Sequence, residues 1–357
     1  MSEIPVHDIG GLGRVPLSVS PLKRKDFTSD QEVRWCPGCG DYAILSAVQG
    51  LLPTLGIARE NTVVISGIGC SSRFPYYVNS YGMHSIHGRA LTIATGLAIT
   101  RPDLAIMVAT GDGDALSIGG NHLVHTLRRN VNLTVVLFNN RIYGLTKGQF
   151  SPTSEQGKVT KSSPAGSLDT PVNAVSLALG AEASFVARSI DSDRAHLTSV
   201  LRAAFEHRGS SLVEIYQNCP IFNDGAWDEL TGPDSEGVIK LEAGEPVLSP
   251  SGNFGVVQGA TGHLELASVA DVGLDKVIVH DPGEADPTRA FALSRLTDSG
   301  VMRRSPIGIF RDVDRPSFDD LSRQQIATAQ GGATADVHGK MTQLQTLLAG
   351  DDIWTVG

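Results

Sequence analysis

The tract Gly111-Asp112-Gly113-Asp114-Ala115-Leu116-Ser117-Ile118-Gly119-Gly120-Asn121, answered further on by the pair Asn139-Asn140, constrains this chain more than any other stretch. Residues 104–109 are an unbroken apolar run, as expected of a parallel strand buried on both faces, and they deliver the Gly-Asp-Gly turn at the strand's carboxyl end. Leu116, Leu123, Val124 and Leu127 recur at near-helical spacing, which predicts a helix over 115–129 with its N-terminus facing the turn. A second apolar run, 133–138, brings Asn139 and Asn140 back to the same edge. Together these make one right-handed strand-helix-strand unit.

Glycines at such an edge let backbone N–H groups approach an anion, and the helix N-terminus favours a phosphate. Phosphate alone would not tolerate a neighbouring carboxylate. The Asp112 carboxylate and the Asn140 amide oxygen are hard ligands suited to Mg²⁺, which keeps other positions for phosphate oxygens and water. A Gly-Asp-Gly triplet by itself is an ordinary turn. Joined to the distant asparagine pair, with a strand before each, it has the pattern of a metal-diphosphate clamp.

The four cysteines fall at loops. Trp35-Cys36-Pro37-Gly38-Cys39-Gly40 precedes a helical pattern of Ile44, Leu45, Val48, Leu51 and Leu52; Gly69-Cys70 ends an apolar strand over 62–68; and Cys219-Pro220 follows a strand over 211–216. Four thiolates fit a [4Fe–4S] cluster, a [2Fe–2S] cluster or structural zinc. One pair plus two distant singles is unlike the two close knuckles of a zinc ribbon, so the spacing favours iron–sulfur without deciding it.

The remaining chain predicts a doubly wound, mostly parallel α/β sheet. Helices are expected over 91–99, 172–179 and 191–207, the last capped by Asp191, and a strand over 183–187. Residues 1–30 are an irregular arm, 31–223 the cofactor domain, and 224–357 an irregular extension in which only 277–280 and 288–296 show pattern. The run 151–167 is polar, a functional loop or solvated linker. No segment has the ~18 apolar residues of a membrane span, and the N-terminus lacks a signal-peptide core, so a cytoplasmic protein is expected. With a net charge of −9 and no basic cluster beyond Lys23-Arg24-Lys25, a nucleic-acid partner is not expected.

Gly111-Asp112-Gly113 through Asn140 resembles the thiamine diphosphate motif. Asn139-Asn140-Arg141-Ile142-Tyr143-Gly144-Leu145-Thr146-Lys147-Gly148-Gln149, with Cys-Pro-Gly-Cys-Gly, Gly-Ile-Gly-Cys and Asn-Cys-Pro, resembles the beta subunit of 2-oxoacid:ferredoxin oxidoreductases, the 2-oxoglutarate-using members above all. The resemblance covers about 35–223 and implies the thiamine-diphosphate-binding fold. It implies Mg²⁺ on Asp112, Asn140 and the Ile142 carbonyl, and a [4Fe–4S] cluster on Cys36, Cys39, Cys70 and Cys219. Cofactor contacts are implied at Gly69, His87, Gly88, Arg89, Gly111, Gly113, Asp114, Tyr143, Gly144 and Leu145.

Lys147 is implied as the contact for the substrate carboxylate. Arg73 is a candidate for the distal carboxylate of 2-oxoglutarate, with a CoA phosphate or a surface acid as alternatives. The implied reaction is oxidative decarboxylation of 2-oxoglutarate with CoA to succinyl-CoA and CO₂, with electrons passed to ferredoxin. The glutamate that activates thiamine comes in this family from an alpha subunit, and no residue here matches it. The chain is therefore expected to work within a heterotetramer of two alpha and two beta subunits. Pyruvate or a broad range of 2-oxoacids is the nearest alternative substrate. A non-oxidative thiamine-dependent decarboxylase would leave the cysteines idle, and a zinc-stabilised binding module would leave the clamp idle.

Overall fold

Branched apolar residues set the central strands, and glycine or asparagine ends the two that carry the site, at Gly111 and Asn139. The computed structural model of the protein describes residues 10–232, 235–297, 302–329 and 337–350. In chain order the strands are β1 (Thr62–Ser66), β2 (Tyr81–His84), β3 (Ala105–Gly111), β4 (Leu133–Asn139), β5 (Phe185–Ile190), β6 (Ser210–Tyr216), β7 (Val238–Leu241), β8 (Phe254–Gln258), β9 (Leu264–Ser268) and β10 (Ser305–Asp312). Eight of them form one sheet in the order β2-β1-β3-β4-β6-β5-β10-β7, and β8 and β9 pair as a separate hairpin. From β2 through β5 every pairing is parallel.

Helices cover both faces. α1 (Asp41–Leu51) lies on one side, α2 (Phe74–Tyr77) near the β1–β2 edge, α3 (Ala90–Thr100), α4 (Gly120–Arg129) and α5 (Ala174–Gly180) on the other side, and α6 (Arg194–Glu206) beside α1. Two cores result: one gathers Leu91, Val108, Leu127 and Val135 with α3 to α5, the other Ile44, Val48, Val136 and Leu201 with α1 and α6. The central strands β3 and β4 are buried along almost their whole length, which is why they read as continuous apolar runs. After β1 the chain moves outward to β2, then crosses to the far side of β1 for β3. The carboxyl ends of β1 and β3 thus flank a switch point, the place where open α/β sheets bind ligands.

The doubly wound, mostly parallel sheet is as expected, with three local differences. The helix over 115–129 begins instead as a π-helical turn, Asp114–Ile118, before α4. α6 is capped by Asp193, whose Oδ1 accepts from His196 N at 3.1 Å, while Asp191 Oδ2 accepts from Asn218 N at 2.9 Å and ties down the loop before Cys219. The stretch past 224 is less irregular than its composition: β10 pairs antiparallel with β5 and parallel with β7, extending the main sheet. The run 277–280 is no strand, although Val247 N donates to Ile278 O and Ile278 N to Val256 O, and the helix near 288–296 is present as Thr288–Ser294. Of the arm, 1–9 lie outside the described residues; beyond them Leu12, Val15 and Phe27 are buried in this chain's own core. Among the described residues no helix is long and apolar enough to cross a membrane.

Candidate functional site

β3 runs out at Gly111 and leaves Asp112 buried at its end. Two hydroxyls hold one of its oxygens: Ser151 Oγ and Thr153 Oγ1 donate to Oδ2 at 2.6 and 2.5 Å. Burial nevertheless raises the Asp112 pKa to about 6, because two neutral donors do not replace water around a carboxylate. A carboxylate so placed is under-compensated and would fit a divalent cation. Asn140 follows β4 at the same edge, with its Oδ1 accepting from Ile142 N at 3.2 Å. Asp112, Asn140 and Ile142 all line one cavity of about 100 Å³. The donor set of carboxylate, amide and backbone carbonyl is all hard oxygen and fits Mg²⁺.

Asp114 has a different part. Its Oδ1 accepts from Ile68 N at 3.1 Å and Gly88 N at 2.8 Å and meets His87 Nδ1 at 2.5 Å, while Oδ2 accepts from Thr110 Oγ1 at 2.7 Å. One buried carboxylate thus draws together the loops after β1, before α3 and after β3. The close approach needs a glycine, since a Cβ on Gly67 would lie 1.9 Å from Asp114 Oδ2. Gly113 has a similar constraint: a Cβ there would lie 2.2 Å from the Tyr143 ring, whose hydroxyl donates to Gly113 O at 2.8 Å.

Gly69, Cys70, His87, Gly111, Gly113, Asp114, Tyr143, Gly144 and Leu145 line the same cavity. Gly88 and Arg89 stand behind it at the start of α3, and Arg89 Nη1 reaches only the Gly88 and Ile118 carbonyls, at 3.5 and 3.4 Å. Lys147 and Arg73 do not line it. Lys147 is exposed on the 143–149 loop, with a left-handed φ of 76°, and the loop is closed by Tyr143 N donating to Gln149 O at 2.8 Å. Arg73 is half-buried beside Cys70 at the start of α2, and its guanidinium has no hydrogen-bond or ion-pair partner among the described residues.

The cysteine loops converge next to this cavity. Cys39 N donates to Cys36 O at 3.1 Å in a tight knuckle, and Trp35 Nε1 donates to Cys70 O at 2.7 Å, tying that knuckle to the loop after β1. A Cβ on Gly144 would lie 3.4 Å from Cys70 Sγ and 3.8 Å from Cys219 Sγ, so these two sulfurs flank the Tyr143-Gly144 segment. Gln217 Nε2 donates to Cys39 Sγ at 3.3 Å. Burial pushes the Cys70 thiol up to about 12 and the Cys39 thiol up further, with the fields of Asp41 and of the other cysteines adding to both. Asp41 is itself buried with neither carboxylate oxygen hydrogen-bonded, and burial raises its pKa to about 7. Cysteine sulfurs brought together in this way fit a thiolate-ligated iron–sulfur group. Among the described residues no three His, Cys, Asp or Glu side chains stand close enough to hold a single metal ion.

Several residues of the site were not legible as such. Ser151 and Thr153, read as part of a polar loop, are buried against Asp112, with Ser154 buried behind them against Ser151 and Arg141 O, and the density of hydroxyls just after Gly148-Gln149 was the available signal. Behind them runs a chain of buried hydrogen bonds: Thr153 Oγ1 to Asn139 Oδ1 at 2.9 Å, Asn139 Nδ2 to Glu214 Oε1 at 2.7 Å, and Arg188 Nε to Glu214 Oε2 at 2.7 Å. Arg188 continues to β10, donating to Ser305 Oγ at 2.9 Å and Pro306 O at 3.3 Å.

A parallel sheet with this clamp at its switch point defines the class of thiamine-diphosphate enzymes, and residues 67–215 match the thiamine pyrophosphate enzyme, C-terminal TPP binding domain family. The chain is 61% identical over 344 residues to 2-oxoglutarate oxidoreductase subunit KorB of Mycobacterium tuberculosis, covering 96% of this chain and 91% of that one. It is 38% identical over 276 residues to the beta subunit of 2-oxoacid:ferredoxin oxidoreductase 1 of Aeropyrum pernix, covering 77% and 76%. A solved 2-oxoglutarate:ferredoxin oxidoreductase from Magnetococcus marinus, with 2-oxoglutarate, coenzyme A and succinyl-CoA bound, superposes with a TM-score of 0.74 at 33% identity, over 92% of this chain and 99% of that one. The chain belongs to the 2-oxoacid:ferredoxin oxidoreductase family, among the beta subunits of the 2-oxoglutarate type.

Proposed function

We propose that this chain is the beta subunit of an enzyme that oxidatively decarboxylates 2-oxoglutarate with CoA, giving succinyl-CoA and CO₂ and passing electrons through a [4Fe–4S] cluster to ferredoxin. The observation that carries it is the adjacency of two sites: an under-compensated Asp112 with Asn140 and Ile142, and three loops carrying the four cysteines, of which those of Cys70 and Cys219 meet at Gly144 and that of Cys36 and Cys39 is tied to the Cys70 loop through Trp35. Thiamine diphosphate, when bound, supplies the chemistry that releases CO₂ from a 2-oxoacid, and the cluster accepts electrons one at a time. This chain's residues hold and orient these groups. Asp112, Asn140 and the Ile142 carbonyl hold Mg²⁺ against the diphosphate, and Ser151 and Thr153 fix the Asp112 carboxylate from behind. Gly144, without a side chain, lines the cavity and leaves room beside the Cys70 and Cys219 sulfurs, where a cluster would sit. Cys36, Cys39, Cys70 and Cys219 hold the cluster, with the exposed Cys36 knuckle as its face toward ferredoxin.

Arg73, whose guanidinium has no hydrogen-bond or ion-pair partner among the described residues, binds the distal carboxylate of 2-oxoglutarate, and Lys147, exposed on the 143–149 loop, meets the substrate's other carboxylate. The glutamate that activates thiamine belongs to an alpha subunit, and the enzyme is a cytoplasmic heterotetramer of two alpha and two beta subunits. The cavity edge supports a partner: β2 ends the sheet with all four residues exposed, among them Tyr81 and Met83, next to exposed Tyr76 and Ile86.

Anaerobic purification with the alpha subunit tests this reading. The expected result is broad absorbance near ~400 nm with about four iron and four sulfide per beta subunit, bleached by 2-oxoglutarate plus CoA. A colourless protein, or a coloured one that 2-oxoglutarate fails to bleach, refutes it.

A further inference from the structure

Past the end of the sheet, one side chain spans the loop that carries Cys219 and the loop that carries Asn140. Asn223 N donates to Cys219 O at 3.0 Å, closing the cysteine turn on itself. Its side-chain Nδ2 donates to Asn140 O at 2.8 Å, and its Oδ1 accepts from Lys158 Nζ at 2.5 Å. Lys158 in turn pairs with Glu155 at 2.9 Å, and Glu155 with Arg141 at 3.4 Å, which returns the network to the residue after Asn140. Asn223 is only 7% exposed, so these bonds do not compete with bulk water.

An amide is what this position requires. A carbonyl on one side needs a donor and an ammonium on the other needs an acceptor; aspartate offers no donor, and serine is too short to reach both. The pinned peptide is also strained. Arg141 has a left-handed φ of 57°, a conformation a non-glycine residue keeps only where its surroundings hold it. The direction of the Asn140–Arg141 peptide decides where the Asn140 amide and the Ile142 carbonyl point.

We propose that Asn223 is a positioning residue, a strut between the cluster loop and the metal-diphosphate loop, through which occupation of the thiamine site alters the surroundings of the iron–sulfur cluster. The strut rests on the function proposed above. It predicts a coupling with two readouts that do not involve turnover. In the assembled enzyme, thiamine diphosphate with Mg²⁺ should change the electron paramagnetic resonance spectrum of the reduced cluster. Asn223→Ala should keep its iron, lose that change, and bind thiamine diphosphate on the order of 10-fold more weakly, as expected when a ligand's outer support is removed. Lys158→Met, which frees Oδ1 and leaves the bond to Asn140 in place, should show a smaller loss of both.

Wild-type affinity together with an undiminished spectral response in Asn223→Ala overturns the strut, and the same result in Lys158→Met overturns it should Asn223→Ala fail to assemble. A wild-type enzyme that holds no iron or does not bind thiamine diphosphate refutes the proposed function itself, and the strut with it. Measuring the wild type first keeps the two failures distinct.

Discussion

Thr153→Val is the sharpest test of how Asp112, the proposed metal ligand, is set. The substitution keeps the branched shape and removes one hydroxyl, which stands 2.5 Å from Asp112 Oδ2 and 2.9 Å from Asn139 Oδ1. One proton serves both contacts, and the shorter one, to a buried carboxylate, takes most of it. A hydrogen bond to a charged group contributes about 1.5–3 kcal/mol net. At about 1.4 kcal/mol per decade that is roughly a 10- to 100-fold loss of Mg²⁺-dependent thiamine diphosphate affinity. Ser151→Ala removes the other hydroxyl on the same oxygen, so the two losses should not add, because the surviving donor can shift toward Oδ2 in either single variant. Calorimetric titration of thiamine diphosphate into the assembled, cofactor-stripped enzyme at fixed Mg²⁺ measures all four corners of the cycle. A Thr153→Val affinity within about two-fold of wild type, with Asp112→Ala still abolishing binding, would show that the hydroxyls are packing and not orientation.

Gly144→Ala should fold normally, since its added Cβ meets Cys70 and Cys219 sulfurs at ordinary contact distance, yet lose iron because that space lies between two proposed cluster ligands; iron analysis beside a melting curve decides. Arg73→Met should reduce kcat/KM for 2-oxoglutarate by about 2–4 kcal/mol while pyruvate changes little, and equal losses on both at saturating CoA would dispose of the selectivity role. Burial raises the Asp320 carboxyl, but hydrogen bonds from Arg208, Arg323 and Ser317 outweigh it and lower its pKa from 3.8 to about 2. A depressed acid contributes its stability fully above the unfolded value and loses it as pH falls through the folded one, so protection from hydrogen exchange in the helix Phe318–Ala329, taken relative to the intrinsic amide rate at each pH, should hold above pH 3.8 and fall toward pH 2. Asp320→Asn should exchange faster already at neutral pH.

The parts of this protein that could be read from sequence are those whose cause is local. β3 and β4 announce themselves because central parallel strands are apolar on both faces, and Asp112 and Asn140 because a turn follows each strand directly. The Ser151 and Thr153 cradle depends on hydroxyls meeting a carboxylate 39 and 41 residues away, through a loop with no period to betray it. β10 was hidden by its own irregularity: Pro306 and Gly308 interrupt it, and its register shifts between Ile309 and Arg311. Asp191 and Asp193 are equally good caps on paper, and only the bond from Asn218 N shows that Asp191 is already engaged elsewhere.

The path from Asp112 back through Thr153, Asn139 and Glu214 to Arg188 bears on how the chain can be divided. Composition changes at residue 224, and a designer or a gene rearrangement would find that a natural seam. Yet Arg188 donates across it to Ser305 and Pro306. A fragment ending at 223 would keep every cysteine and every proposed metal ligand, but it would turn β5 into a bare sheet edge and leave a buried guanidinium short of two acceptors. Its clamp would be complete in sequence and unsupported in space. A cut at 224 would therefore separate Asp112, the proposed metal ligand, from β10, the last strand among the described residues.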